Sequence, residues 1–456
     1  MFVVAKFFAA FFVSIRTAAG RSALLLALAW LAPAQAEEAA ARVRHYEVQL
    51  APDIAARALS GRVALTLAAG TVGPLQLDAG DGLQIDSVSE AGEPLRFRRG
   101  KGTLTIELAA PAAGAAGKGE RVVEIRYRGA PSSGMRFLPT LQQVYTAFST
   151  SQWLPCLDAP SQRATLGLTL DLPAGLLVVA NGRQLRSERR PDGGSRSTWL
   201  QAEPVPSYLF GFAAGPFREV VDDTAKPTLR FLGPTSFSEE QLRQVFRDTR
   251  SMIAFYADKA GLPYPAASYT QVLVGEPAAQ EAAGFGLLGE GYGRRVLADP
   301  TATWLAAHEL SHQWWGNALT NQAWTEFWLN EGIASFMNAA WFEHQGGPAA
   351  YQRHIGAARD KFDQLRAAGA DKPLVFPDWR APSAMDRSLV YDKGAWVVHH
   401  LRETMGEAAF WRGLKGYTQR FWGRAVTSRD FQAAMQAATE RDLGPFFERW
   451  VLGVRP

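Results

Sequence analysis

Short alternating stretches dominate the first half of the chain. HYEVQL (45–50), GRVALTL (61–67), TLTIEL (103–108) and RVVEIRY (121–127) put apolar residues at every second position. That period predicts strands with one buried face. The intervening AAPAAGAAGKGE (109–120) and RRPDGGSRS (189–197) have the Gly, Pro and Asp content of exposed turns. β structure is therefore expected from about Val43 to Phe217. Around Pro216–Pro234 the pattern changes. SEEQLRQVFRDTRSMIAFYADKAG (238–261) reads as one long helix, ASYTQVLVG (267–275) as a strand, and DPTATWLAAHELSHQWWG (299–316) as a helix. Asp299 or Thr301 is its expected cap, with Pro300 near the first turn. WLNEGIASFMNAAWFEHQGG (328–347) predicts another helix, stopped by Gly346-Gly347. SLVYDKGAWVVHHLRETMG and RDFQAAMQAATERDLGPFFERWV complete a largely helical second half. The expected fold class is α+β multidomain: a β domain over 37–218, then a mixed, mostly helical unit over 219–456.

The chemistry lies in LAAHELSHQWWGNALTNQAWTEFWLNEGIAS. His308, Glu309 and His312 spell H-E-x-x-H, and Glu331 follows in W-L-N-E-G on the next helix. Positions i and i+4 share a helix face, so both imidazoles project to one point. Two imidazoles and a carboxylate form a zinc site with the fourth position left for water, the open arrangement of catalytic zinc. Glu309, beside the first ligand, is the expected general base. A chance H-E-x-x-H on a surface helix is opposed by Glu331, a third ligand type close by in sequence. Tyr391, in SLVYDKGAW, is either the second electrophile for a developing oxyanion or an interfacial core tyrosine. His344, His354, His399 and His400 lack ligand spacing and are expected to be packed or solvated.

The formal charge of +4 could point to nucleic acid or a membrane surface. Residues 1–36 carry only Lys6, Arg16 and Arg21 as charges, so their removal leaves +1, and no basic surface needs a nucleic-acid partner. The leader itself reads as an export signal. Arg21 precedes ALLLALAWLA, and Ala34-Gln35-Ala36 is an A-x-A cleavage site. The earlier run FVVAKFFAAFFVSI is short for a span, and it leaves a membrane-anchored form as the alternative if the leader is not cleaved. The expected location is periplasmic or secreted. A single cysteine, Cys156, excludes an intramolecular disulfide and reads as a buried structural thiol.

Together these residues resemble the gluzincin zinc metallopeptidases of the alanyl aminopeptidase family. H-E-L-S-H-Q-W-W-G-N followed by the glutamate of L-N-E-G carries the resemblance. L-P-C-L-D-A-P (154–160), P-S-Y-L-F-G-F-A-A-G-P-F (206–217), V-Y-D-K-G-A (390–395) and D-L-G-P-F-F-E-R-W (442–450) extend it over nearly the whole mature chain. It implies an N-terminal β-sandwich or saddle domain and a thermolysin-like, mostly helical catalytic domain. It also implies one Zn2+ per chain, peptide substrates, and Tyr391 as the transition-state tyrosine.

The sequence departs from that family at the substrate's amine. Aligning F-G-L (285–287) to the family's W-G-L puts Ala283 where an amine-binding glutamate belongs. A two-residue slip reads A-A-Q-E-A (278–282) as the degenerate motif and gives Glu281 that role. Glu281 is the expected substrate-binding carboxylate, because a neutral replacement would leave the ammonium unpaired. Glu276 and Glu290 are weaker choices. The family's second amine contact, a glutamine, is replaced by Ala147 in Thr146-Ala147-Phe148. Many members continue into a helical domain over the cavity, so the end at Pro456 leads one to expect a more open cleft. The expected activity is aminopeptidase. The alternatives are an endopeptidase, a peptidase with an atypical N-terminal requirement, and a non-catalytic member of the fold.

Overall fold

The alternation of the first half becomes sheet. Val63, Leu65 and Leu67 in one strand and Val123, Ile125 and Tyr127 in its neighbour are all buried. The computed structural model describes residues 43–108, 120–276, 278–376 and 382–453. The expected leader at 1–36 and nearly all of the 109–120 loop lie outside the described residues. Eight strands pair in the order Arg183–Arg189, Ser195–Pro206, Arg163–Leu172, Val43–Asp53, Ala58–Leu67, Arg121–Gly129, Leu83–Glu90 and Glu93–Pro94. Val43–Asp53 runs parallel to Arg163–Leu172, and the other pairs are antiparallel. A three-stranded and a four-stranded sheet complete this part. Their inner faces enclose one apolar core that includes Tyr46, Trp153, Trp199, Phe210 and Phe212. Cys156 is fully buried there, and its backbone pairs with that of Asp78 in both directions. Burial pushes its thiol well above the usual range, as an inert structural cysteine requires.

A further, five-stranded sheet follows, in the order Phe217–Asp222, Thr228–Pro234, Ser268–Val274, Phe285–Gly289 and Ala279–Gln280. Its three middle strands are parallel. The strand Phe217–Asp222 spans the position expected for the domain boundary. Helices cover the rest. The single helix expected over 238–261 is two, α1 (Glu239–Val245) and α2 (Thr249–Ala260). The Thr249 hydroxyl bonds both the Phe246 carbonyl and the buried Gln271 side chain. A side chain that competes locally for the backbone in this way breaks the run. Ser238 and Gln241 close α1 with a capping box.

Helix α3 (Glu290–Ala298) was not anticipated, and it shifts the start of the next one. Asp299 ends α3, and its carboxylate holds Thr301 rather than capping the following helix. Helix α4 therefore begins later than expected and covers Trp304–Ser311. Helix α5 (Trp328–Ala367) is interrupted at Gly347, whose φ of 71° and ψ of −170° are not helical. The Gly346-Gly347 stop is thus where the sequence placed it, and Pro348 opens a further helical stretch. Helix α6 (Ala384–Ser388) leads into a π-helical turn, Leu389–Lys393, and then into α7 (Gly394–Met405). Helices α8 (Glu407–Arg420) and α9 (Ser428–Gln436) pack behind them, with Tyr417, Phe431 and Met435 in the same core as Trp314, Trp328 and Phe336.

Candidate active site

Helix α4 lies between the strand Phe285–Gly289 and α5, and this places the two histidines and Glu331 face to face. The Nε2 atoms of His308 and His312 are 3.0 Å apart, and Glu331 Oε2 lies 3.3 Å from the first and 3.5 Å from the second. Donors about 2.0–2.1 Å from a tetrahedral zinc are about 3.3 Å from one another. The observed triangle is therefore one face of such a tetrahedron, and the donor set fits zinc. All three residues are buried. His312 Nδ1 lies 3.1 Å from the Trp315 carbonyl, so the proton belongs on Nδ1 and Nε2 is left to ligate. Gly316, with φ 145°, permits that turn; a Cβ there would lie 2.7 Å from His312 Nδ1.

The electrostatics match a cation site. Burial lowers His308, against the pull of Glu331. Burial also disfavours charge on His312, but Glu331 beside it, with Glu281 and Glu309 beyond, raises it to about 10. Burial opposes ionisation of Glu331, yet His312 and His308 hold it at about 2.

A cleft of about 1260 Å³ opens onto this triangle, lined by Glu309, Tyr391, Glu281 and the three ligating residues. Glu309 is buried, and burial raises its carboxyl well above the usual range; His312 opposes that shift, while Glu281 and Glu331 add to it. The ring of Tyr391 stacks on His308 with centroids 5.8 Å apart. Burial, then the charges of Glu331, Glu281 and Glu309, push its phenol far up, so it keeps its proton as a donor. The structure therefore gathers His308, Glu309, His312, Glu331, Tyr391 and Glu281 around one space.

Glu281 is 2% exposed, and its Oε1 has no hydrogen-bond partner among the described residues. Ala283, the competing alignment, sits in the β core, bonded to Leu209 and Asn181. Glu276 meets Tyr145, and Glu290 pairs with Arg294. Ala147 does line the cleft. His354 lines it too, stacked on Phe342 with centroids 4.0 Å apart, while His344 packs against Phe255 and Trp341. His399 and His400 pack against Tyr351 and Trp396 respectively.

Sequence reasoning missed the side chains that hold the Glu281 segment. Asn317 donates to the Glu281 carbonyl at 2.8 Å, and Gln313 donates to the Ala282 carbonyl while accepting from Gly284 N–H. Both lie in H-Q-W-W-G-N, directly after the second ligand, where a polar residue among tryptophans was the available signal. Asn330, beside Glu331, donates to the Tyr208 hydroxyl, which in turn donates to the Gly316 carbonyl.

Two family models match this chain: "Peptidase M1 N-terminal domain" over residues 43–209 and "Peptidase family M1 domain" over 245–450. The chain belongs to peptidase family M1. The M1 match encloses every residue of the triangle, and His308, His312 and Glu331 are its zinc-type donor set. The "Probable aminopeptidase 1" of Saccharolobus solfataricus is 26% identical over 403 residues, 83% of this chain and 49% of its own length. "Aminopeptidase N" of Lactobacillus delbrueckii subsp. lactis is 27% identical over 446 residues, 89% of this chain and 50% of its own. This chain thus spans about half the length of the curated relatives it matches. Among solved structures, an M1 zinc metallopeptidase from Deinococcus radiodurans superposes with a TM-score of 0.72 at 25% identity, covering 91% of this chain and 95% of that one. A mutant M1 zinc metallopeptidase from the same organism, bound to a Tyr-Ser-Ala substrate, gives 0.74 at 24% identity, covering 91% and 94%. The N-terminal β-rich part followed by a mainly helical catalytic part is the M1 arrangement.

Proposed function

We propose that this protein is a zinc-dependent aminopeptidase that releases N-terminal residues from peptides. The observation that carries the reading is Glu281, a buried carboxylate that lines the cleft the ligand triangle faces, with no hydrogen-bond partner for its Oε1 among the described residues. A peptide's free ammonium pairs with this carboxylate. Zinc, when bound, polarises the scissile carbonyl and acidifies water. Glu309, on the cleft wall beside His308, takes the water's proton and passes it to the departing amine. Tyr391, protonated, donates to the carbonyl oxygen as that oxygen gains charge.

A second reading, an endopeptidase or a peptidase less strict about the N-terminus, draws support from Ala147. It lines the cleft with a methyl group where a second amine contact is expected. Hydrolysis of leucine p-nitroanilide and of its N-acetylated form separates the two. The aminopeptidase reading expects the free amine to be cleaved at least about 100-fold faster, the worth of a desolvated ammonium–carboxylate pair. Equal rates would establish the second reading. The export leader supports a periplasmic or secreted location, with a membrane-anchored form if cleavage does not occur. No helix among the described residues is long and apolar enough to cross a membrane. The 218/219 division between the β and catalytic domains belongs to the same proposal.

A further inference from the structure

Two glycines meet where α5 passes the turn that carries Tyr391. Gly332 follows the third ligand, Glu331, and Gly394 lies three residues beyond Tyr391. Gly394 has helical dihedrals, φ −56° and ψ −52°, and Gly332 lies in the regular first part of α5. Neither dihedral requires glycine, and glycine is a poor helix former. Contact is the reason for both. A Cβ on Gly332 would stand 2.9 Å from the Gly394 Cα and 3.2 Å from the Val390 carbonyl oxygen. A Cβ on Gly394 would stand 2.8 Å from the Gly332 Cα. These obstacles are backbone, so no side chain can swing aside. Carbon atoms rest about 3.5–4.0 Å apart, so one methyl group drives the two elements apart by roughly 0.5–1 Å.

We infer that the Gly332–Gly394 contact sets the distance between the metal-ligand face and the Tyr391 phenol. Both are positioning residues, since neither lines the cleft. Glu331 sits one residue from the contact on one side and Tyr391 three residues from it on the other. The far side of the turn is fixed as well. Buried Lys393 donates to the Asp371 carboxylate at 2.7 Å and to the Lys372 carbonyl at 2.6 Å. A group displaced by about 1 Å from its productive place loses about 100-fold in rate, so this contact controls turnover without touching substrate.

The activity part of this inference rests on the peptidase reading, and the structural part does not. The experiment makes Gly394→Ala and Gly332→Ala in the full chain, with Gly416→Ala as control. Gly416 is exposed on α8, with nothing within 4 Å of its Cβ position. Each variant is assayed for zinc content, for kcat and KM on leucine p-nitroanilide, and again with Tyr391→Phe added; crystal structures of the two contact variants follow. The expected result is one zinc per chain, kcat down about 10–100-fold with KM little changed, and little further loss from Tyr391→Phe. The crystal structures should show the Leu389–Lys393 turn moved away from α5, and the Gly416 variant should match the parent. A folded contact variant with parental kcat, an undiminished Tyr391→Phe effect, or an unmoved turn would overturn the inference. Failure of both contact variants to fold would also overturn it, because the contact would then serve the fold and not Tyr391. A parent inactive on the reporter would count against the peptidase reading, and the crystallographic displacement would still decide the role of the contact.

Discussion

Replacing Glu281 with glutamine should move activity and stability in opposite directions. The structure raises this carboxyl from 4.5 to about 7: burial is the main cause, Glu331 adds to it, and His312 opposes. Each unit corresponds to 1.36 kcal/mol, so the ionised form costs the folded protein about 3 kcal/mol. The folded value lies above the unfolded one. Below about pH 4.5 the carboxyl is protonated in both states and costs nothing; the cost grows as pH rises toward 7 and is complete above it. Glutamine removes the charge but keeps a buried polar group that itself costs about 1 kcal/mol. Urea unfolding of the metal-free protein should therefore show Glu281→Gln more stable than the parent by roughly 1–2 kcal/mol at pH 8, with the gain gone at pH 5. The same variant should lose about 100-fold in kcat/KM on a free-amine reporter, and nothing on its N-acetylated form. For the parent, kcat/KM on the free amine should rise with pH through about 7, as Glu281 ionises. Lower stability at pH 8, or equal losses on both reporters, would refute the assignment of Glu281 to the ammonium.

Three further substitutions test the surrounding machinery. Glu309→Gln should keep its zinc and lose nearly all turnover, measured as metal content beside single-turnover rate; an active variant would place the base elsewhere. Tyr391→Phe should lower kcat far more than it raises KM, and steady-state kinetics showing a pure KM effect would make it a binding residue instead. Arg163 donates to the Asn317 carbonyl at 3.1 Å and to Thr320 Oγ1 at 2.6 Å, and burial lowers its pKa to about 10 while leaving it charged at neutral pH. Arg163→Ala should cost about 1–3 kcal/mol in denaturant unfolding and loosen the Asn317 support of Glu281; unchanged stability would count against a role in joining the β part to the zinc loop.

Most of the site was legible because its ligands obey a local rule. His308 and His312 lie one helical turn apart, and Glu331 starts the next helix, so spacing alone brought them together. Tyr391 needed the family resemblance, since its place depends on a π turn that no periodicity signals. Glu281, which lines the cleft, was singled out by matching a degenerate segment. Its support by Gln313 and Asn317 was not, because hydrogen bonds from side chains to distant carbonyls leave no period in the sequence. The strands were read well where one face is buried, as at Val63, Leu65 and Leu67. Helix limits were read poorly where one polar side chain decides them: Thr249 splits the helix expected over 238–261, and Asp299 ends α3 instead of starting α4.

The central claim is that hydrolysis depends on one zinc held by His308, His312 and Glu331. Its most direct test is to strip the purified chain with a chelator, titrate zinc back, and follow leucine p-nitroanilide hydrolysis together with bound metal. The account predicts no activity in the stripped protein, a linear return with a break at one zinc per chain, and neither binding nor activity in His312→Ala. Full activity in the stripped protein, or an undiminished His312→Ala titration, would contradict it.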